Sequence, residues 1–221
     1  MCATSLEKVP RWNGRVMTAR LPDGRPLIGR AVRLDPTVPD DAAGIFAALD
    51  DERVWAAGYN GGPGSRPATV ARTRELIEEK LSAANPFQYT VRLVGDSDLG
   101  SDGTVVGTSS LGDADLTDER IHLGWTGYAP VVWGGVVNPE CKLLLLGYAF
   151  DDLGMGRVKI QTDLINTRSQ AAIAKLGATR EGVLRRHRRR GDGSWRDTVV
   201  FSVIVDEWPT VRDGLRRRLG Y

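Results

Sequence analysis

The spacing of apolar and polar positions changes period several times along the chain, and each change predicts an element. Residues 27–34 alternate apolar and polar positions around β-branched side chains and predict a first strand. Pro39-Asp40-Asp41 opens a helix through Leu49, with Ile45, Phe46 and Leu49 on one face. Residues 59–67 (YNGGPGSRP) form a glycine- and proline-rich loop; such loops are usually connectors, and long ones also hold acceptor sites. Residues 68–84 read as a helix with Val70, Leu76, Ile77 and Leu81 inward. From Phe87 the period is two. Strands are predicted at 87–94, 104–111 and 121–128, with connections short enough for an antiparallel meander. A strand at 158–162, a helix at 167–176 closed by Gly177, strands at 181–188 and 198–205 around Gly191-Asp192-Gly193, and a helix at 206–219 complete the pattern. Residues 1–26 are polar and broken by prolines and glycines. They predict an N-terminal arm with a short strand near 15–21, ahead of one α/β domain with a mixed sheet over 27–221.

Between the meander and its sequel lies Trp133-Gly134-Gly135-Val136-Val137-Asn138-Pro139-Glu140, a glycine turn delivering the chain into a helix over 139–153. Asn138 is a preferred N-cap, Pro139 fits the first helical position, and Glu140 complements the positive end of the dipole. Leu143, Leu146, Phe150 and Leu153 follow at helical spacing, and Gly154 closes the helix. Such a start suits phosphate, since free N–H groups and the dipole point the same way. The donors would be Gly134, Gly135, Val136, Val137 and Asn138, because Pro139 has none. On its own the signal is weak, as most glycine-to-helix turns are only turns.

Composition narrows the classes. Thirty basic and 28 acidic residues leave a net charge of +2, which is not that of a generally nucleic-acid-binding chain. The run Arg185-Arg186-His187-Arg188-Arg189-Arg190 alternates between faces on a strand, so a solvated hairpin edge is favoured over a nucleic-acid stripe. Cys2 and Cys141 give neither a disulfide framework nor metal spacing, and with two histidines no metal site is expected. No apolar run has the length of a membrane span, and without an apolar leader the expected location is cytoplasmic.

Several segments together resemble the GNAT acyl-CoA-dependent N-acetyltransferases, in the subgroup similar to ribosomal-protein alanine N-acetyltransferases. They are Leu123-Gly124-Trp125, the turn with Asn138 and Glu140, Thr162-Asp163-Leu164-Ile165-Asn166-Thr167-Arg168-Ser169, Ala171-Ala172-Ile173-Ala174-Lys175-Leu176-Gly177-Ala178, Glu181-Gly182-Val183-Leu184-Arg185 and Arg196-Asp197-Thr198. The matching stretch runs from about Leu27 to Trp208. The resemblance implies a single-domain fold with a mixed central sheet of about seven strands and flanking helices. It implies acetyl-CoA as cosubstrate, a primary amine of a protein N-terminus or small molecule as acceptor, and a monomer or homodimer. The alternative is a non-catalytic acyl-CoA-binding or nucleic-acid-binding module on the same fold.

By the same resemblance the 134–138 turn holds the CoA pyrophosphate. The family pattern there is Arg or Gln, two residues, Gly, one residue, then Gly or Ala, and this chain departs from it at Trp133, Val136 and Asn138. A β-branched Val136 tolerates positive φ poorly, so Gly134 and Gly135 are expected to take the unusual conformation. The resemblance also places Asn166 on the pantetheine arm, Ser169 near the thioester sulfur as proton donor to the leaving thiolate, and Trp125 and Thr126 on the splayed strand where pantetheine pairs. Without it, Asn166 and Thr167 are simply helix caps and Ser169 a solvated residue.

The chemistry asks for an unprotonated amine. Deprotonating an α-amine at pH 7 costs roughly 1 kcal/mol, against about 4.6 kcal/mol for a lysine. A weak base therefore suffices for the former, and positioning and oxyanion donors must do most of the acceleration. His122 stands where the family more commonly has a glutamate and is the candidate base. Trp55, Tyr59, Trp125 and His187 are the candidate acceptor-binding residues, though aromatic residues are at least as often core.

Overall fold

A computed structural model describes residues 11–12, 15–16, 19–82 and 87–221. Two short strands, β1 (Arg11–Trp12) and β2 (Arg15–Val16), pair with each other, so the strand expected near 15–21 is confined to residues 15–16 among those described. Eight further strands make one sheet: β3 (Leu27–Ile28), β4 (Val32–Pro36), β5 (Phe87–Leu93), β6 (Val105–Asp115), β7 (Arg120–Tyr128), β8 (Arg157–Asp163), β9 (Thr179–Arg189) and β10 (Trp195–Ile204). The order is β3-β4-β5-β6-β7-β8-β10-β9. All neighbours are antiparallel except β7 and β8, which are parallel. The expected β5-β6-β7 meander is present.

Helices cover both faces. On one side α1 (Ala42–Leu49), α2 (Glu52–Ala56) and α3 (Val70–Ser82) bury Ile45, Leu49, Val54, Trp55 and Ile77. On the other, α4 (Val137–Gly147) and α6 (Trp208–Leu219) enclose the larger core, in which Leu145, Leu146, Trp208, Val211 and Leu215 meet Val158, Ile160 and Phe201. α5 (Thr167–Ala174) follows β8. Residues 19–26 are stitched to the end of the α4 segment: the Arg20 N–H donates to Leu153 O at 3.0 Å and the Tyr148 hydroxyl to Asp23 at 2.7 Å. Among the described residues no helix is long and apolar enough to cross a membrane.

Three local expectations are corrected, and one short helix, α2, was not expected. The strand over 27–34 is a hairpin of two strands. Its turn is held from 110 positions away, where Glu140 accepts the N–H groups of Arg30, Ala31 and Val32 at 2.7, 2.8 and 2.9 Å. A Cβ at Gly29 would sit 2.6 Å from that carboxyl group, so the turn needs glycine. α3 turns Thr73 and Ile77 inward, while Val70 and Leu81 are exposed. α2 has five residues, capped by Asp51, and is too short to show periodicity. α4 begins with Val136, not Asn138, as its N-cap, and ends in a π-helical turn at Tyr148–Asp152. Pro139 is tolerated inside the first turn because no N–H is used there.

Candidate active site

β7 and β8 pair from Arg120 with Arg157 to Leu123 with Ile160 and no further, although both strands continue. Beyond that point they splay. β7 also carries a bulge, where its partners on β6 shift from Ser110–Gly124 to Thr108–Gly127 and Trp125 takes a φ of 49°. The splay opens a cavity of about 360 Å³. Its walls are the 122–128 stretch of β7, the start of α4 at Gly134, Asn138 and Lys142, and the start of α5 at Asn166 and Ser169.

Gly134 has a φ of 79°, a left-handed conformation that favours glycine, whereas Gly135 does not share it. The expectation of two unusual glycines thus reduces to one, and Val136 is helical at φ −80° and ψ −21°. The Gly135 N–H bonds weakly to Val132 O at 3.4 Å. Among the described residues the N–H groups of Gly134, Val136, Val137 and Asn138 have no acceptor. Trp133, standing where the family pattern has Arg or Gln, donates its indole N–H to Tyr128 O at 2.8 Å. The Arg168 guanidinium lies 3.4 Å from the Trp133 ring centroid, bringing a cation from α5 to this turn.

His122 lies on the cavity floor, at the last pairs before the splay, and is buried. Its Nδ1 is 3.3 Å from Asp113 Oδ2, but neither ring nitrogen makes a hydrogen bond. Burial lowers its pKa below the usual imidazole value, with Asp113 pulling the other way. Burial favours the neutral ring, which carries a lone pair able to accept a proton. Its ring packs 4.7 Å from that of Trp125, centroid to centroid. Lys142, on α4, is buried, and its Nζ donates to Thr126 Oγ1 at 2.9 Å; desolvation pushes its pKa down to about 8. Asn166 caps α5, its Oδ1 accepting from the Ser169 N–H at 2.9 Å. Buried Asp163, at the end of β8, takes the Arg190 guanidinium at 2.8 and 2.9 Å. That pair fixes the tip of the β9–β10 hairpin against the cleft, and the Gly191 N–H reaches across to Gly61 O at 3.0 Å.

A second, smaller cavity of about 90 Å³ adjoins the first and shares Tyr59, Asn60 and Trp125 with it. Trp55 and Tyr59 meet edge to face in its wall, 5.1 Å between centroids, and the Tyr59 hydroxyl bonds Thr108 at 3.1 Å.

A family model described as an acetyltransferase (GNAT) domain matches residues 31–179. The chain belongs to the GNAT acetyltransferase family. A crystal structure described as that of a "putative acetyltransferase from T. thermophilus" is 35% identical, with a TM-score of 0.75 over 88% of this chain and 96% of that one. A GCN5-related N-acetyltransferase from Brucella melitensis is 25% identical, with a TM-score of 0.80 over 91% and 88%. Among curated proteins, the "Putative ribosomal N-acetyltransferase YdaF" of Bacillus subtilis is 28% identical over 107 residues. That match spans 48% of this chain and 57% of YdaF's length.

In this GNAT fold the residues singled out in the sequence fall into two groups. His122, Trp125, Thr126, Gly134, Asn138, Asn166 and Ser169 line the larger cavity, with Val136 and Val137 completing the adjoining turn. Trp55, Tyr59 and Trp125 line the smaller one. His187 is exposed on the edge strand β9 and lines neither; Arg188 and Arg189 face the larger cavity there. Lys142, Asp163, Arg168 and Lys80 escaped the sequence reading. Lys142 was legible in part, because it follows Asn138 by four residues and so shares its helical face. The others depend on contacts between distant segments. Among the described residues no group of three or more His, Cys, Asp or Glu side chains is arranged to hold a metal.

Proposed function

We propose that this GNAT protein transfers an acetyl group from acetyl-CoA to a primary amine, by direct attack within a ternary complex. The observation that carries the reading is the convergence on one splayed cleft of unpaired backbone N–H groups at the start of α4, the bulged edge of β7, and a buried histidine. The residues fit the cosubstrate. The N–H groups of Gly134, Val136, Val137 and Asn138 suit a pyrophosphate, with Arg168 adding charge. The β7 edge and the Asn166 amide offer partners to a pantetheine arm. Residues 27–221 would form the catalytic domain, with 1–26 as its arm.

In this mechanism the acceptor nitrogen attacks the thioester carbonyl carbon, its proton passes to His122 Nε2, and the carbon–sulfur bond breaks. The thiolate takes a proton from the Ser169 hydroxyl, which regains one from solvent, and His122 returns the amine's proton to solvent. Backbone donors at the β7 bulge would stabilise the developing oxyanion. Direct transfer is supported by Cys141, which is fully buried and whose thiol is pushed up to about 12 by burial, so it is no nucleophile. The test is thiol release from acetyl-CoA over an amine panel, combined with calorimetric CoA binding. Amine-dependent release is expected. CoA binding without release for any amine would leave a binding module, and no binding at millimolar CoA would overturn the reading.

A further inference from the structure

The smaller cavity contains a cation that the transfer chemistry leaves unused. Lys80 is the third inward position of α3, after Thr73 and Ile77, and lines this cavity. Its Nζ donates to Ser110 Oγ at 3.1 Å and lies 5.1 Å from the Trp125 ring centroid. Among the described residues no carboxylate pairs with it, whereas Arg66, the cavity's other cation, is matched by Asp50 at 2.5 Å. Much of the wall is apolar: Ile45, Phe46, Leu49, Trp55, Leu76 and Ile77.

An ammonium group taken out of water without an anion is costly, and a ligand that brings the anion offsets that cost. Desolvation already pushes the Lys80 pKa down to about 8. A cationic acceptor lacking an anion would add like charge to the same small space.

We infer that the acceptor is a free apolar α-amino acid, whose carboxylate pairs with Lys80 while its side chain fills the apolar part of the cavity. The arrangement brings the amine to the right place. The two cavities meet at Tyr59, Asn60 and Trp125, so an amino acid whose carboxylate pairs with Lys80 and whose side chain lies in the small cavity can turn its α-amine, on the same carbon, toward the cleft. There His122 packs against the same Trp125 ring that Lys80 faces from the small cavity. Size selects the side chain: about 90 Å³ is smaller than the roughly 150 Å³ that admits benzene. A branched aliphatic group suits that volume better than an indole. A peptide N-terminus has an amide where this acceptor has a carboxylate, and would leave Lys80 unpaired.

This inference rests on the acetyl-transfer reading for its chemistry but not for its binding. The first measurement is therefore calorimetry without acetyl-CoA, using 4-methylpentanoate, which is leucine without its amine. Wild type is expected to bind it, Lys80→Met to lose at least about tenfold in affinity, and Lys80→Arg to retain most of it. No binding to wild type, or equal binding to Lys80→Met, overturns the inference whether or not any acetyl transfer is found. The second measurement is steady-state acetylation of leucine, leucinamide and an alanyl peptide amide. Leucine should exceed both by about tenfold or more in kcat/KM, and Lys80→Met should remove that preference mainly through KM. A wild-type preference for the peptide or the amide overturns it.

Discussion

Glu140 accepts three backbone N–H groups from the β3–β4 turn and a hydroxyl from Tyr221, while one turn earlier four N–H groups of the 134–138 segment donate to nothing in the described chain. Both stretches belong to the same helix start. The first is fully buried, where an unpaired polar group would be costly, so every partner is supplied. The second is exposed at Gly134 and Val136, with Val137 buried behind them, and solvent or a ligand can meet these donors. A saturated group holds the fold together; donors left open at a cleft are available for binding. The most severe way to break the contrast is to empty the saturated side. Glu140→Ala would remove the acceptor of three backbone donors, Val32 buried and Arg30 and Ala31 part-buried, and is expected to cost about 3 kcal/mol. Urea denaturation measures it, and a loss below about 1 kcal/mol would mean that water replaces the carboxylate.

The open side is tested at Gly134. A valine there must adopt positive φ, at a strain of about 1–3 kcal/mol, or rearrange the turn. Either outcome misaims the free N–H groups. CoA affinity should fall about tenfold or more by calorimetry, with a smaller loss of folding stability than Glu140→Ala causes. Unchanged affinity would show that these amides do not meet the phosphates.

The same contrast reaches side chains. Asp163 is buried and doubly bonded, whereas His122 is buried with Nδ1 beside Asp113 and Nε2 unpartnered among the described residues. If the free lone pair is the base, His122→Ala should lower kcat at pH 7 about tenfold or more with CoA affinity unchanged. A rate within twofold of wild type would remove it from the mechanism. The sign of its pH dependence follows from burial. The base works unprotonated, so the rate falls as pH drops through its pKa, and a lowered pKa puts that limb below the usual imidazole value of about 6.5. A limb above 6.5 would contradict it.

Legibility followed the range of the interactions. The meander and most of the helices could be read because their patterns are local and repeat. The 27–34 hairpin could not, because both its strands continue one alternation and its turn is held by Glu140 from far along the chain. At the cleft, the resemblance supplied His122, Asn166 and Ser169 through short motifs. Lys80 lies in no such motif, and Asp163 and Arg168, though inside the motif that holds Asn166 and Ser169, were assigned no role by it: each gains its role only when a separate segment packs beside it, as Ser110, Arg190 and Trp133 do.

The smallest expected effects sharpen the boundary of the open side. The sequence suggests that Gly135 shares the unusual conformation of Gly134, and it does not. A Cβ built there meets only Val132 O, at an ordinary 3.5 Å. Gly135→Val therefore lacks the backbone strain of Gly134→Val and acts only by crowding the approach to the neighbouring N–H groups. It should weaken CoA binding by less than Gly134→Val, on the order of a few-fold. Val136 already has helical φ and ψ and an exposed side chain, so its backbone N–H is indifferent to what the side chain is. Val136→Ala should leave CoA affinity within about twofold of wild type. If it instead costs as much as Gly134→Val, the valine side chain itself contacts the cosubstrate, and the contribution of this turn is not confined to its backbone.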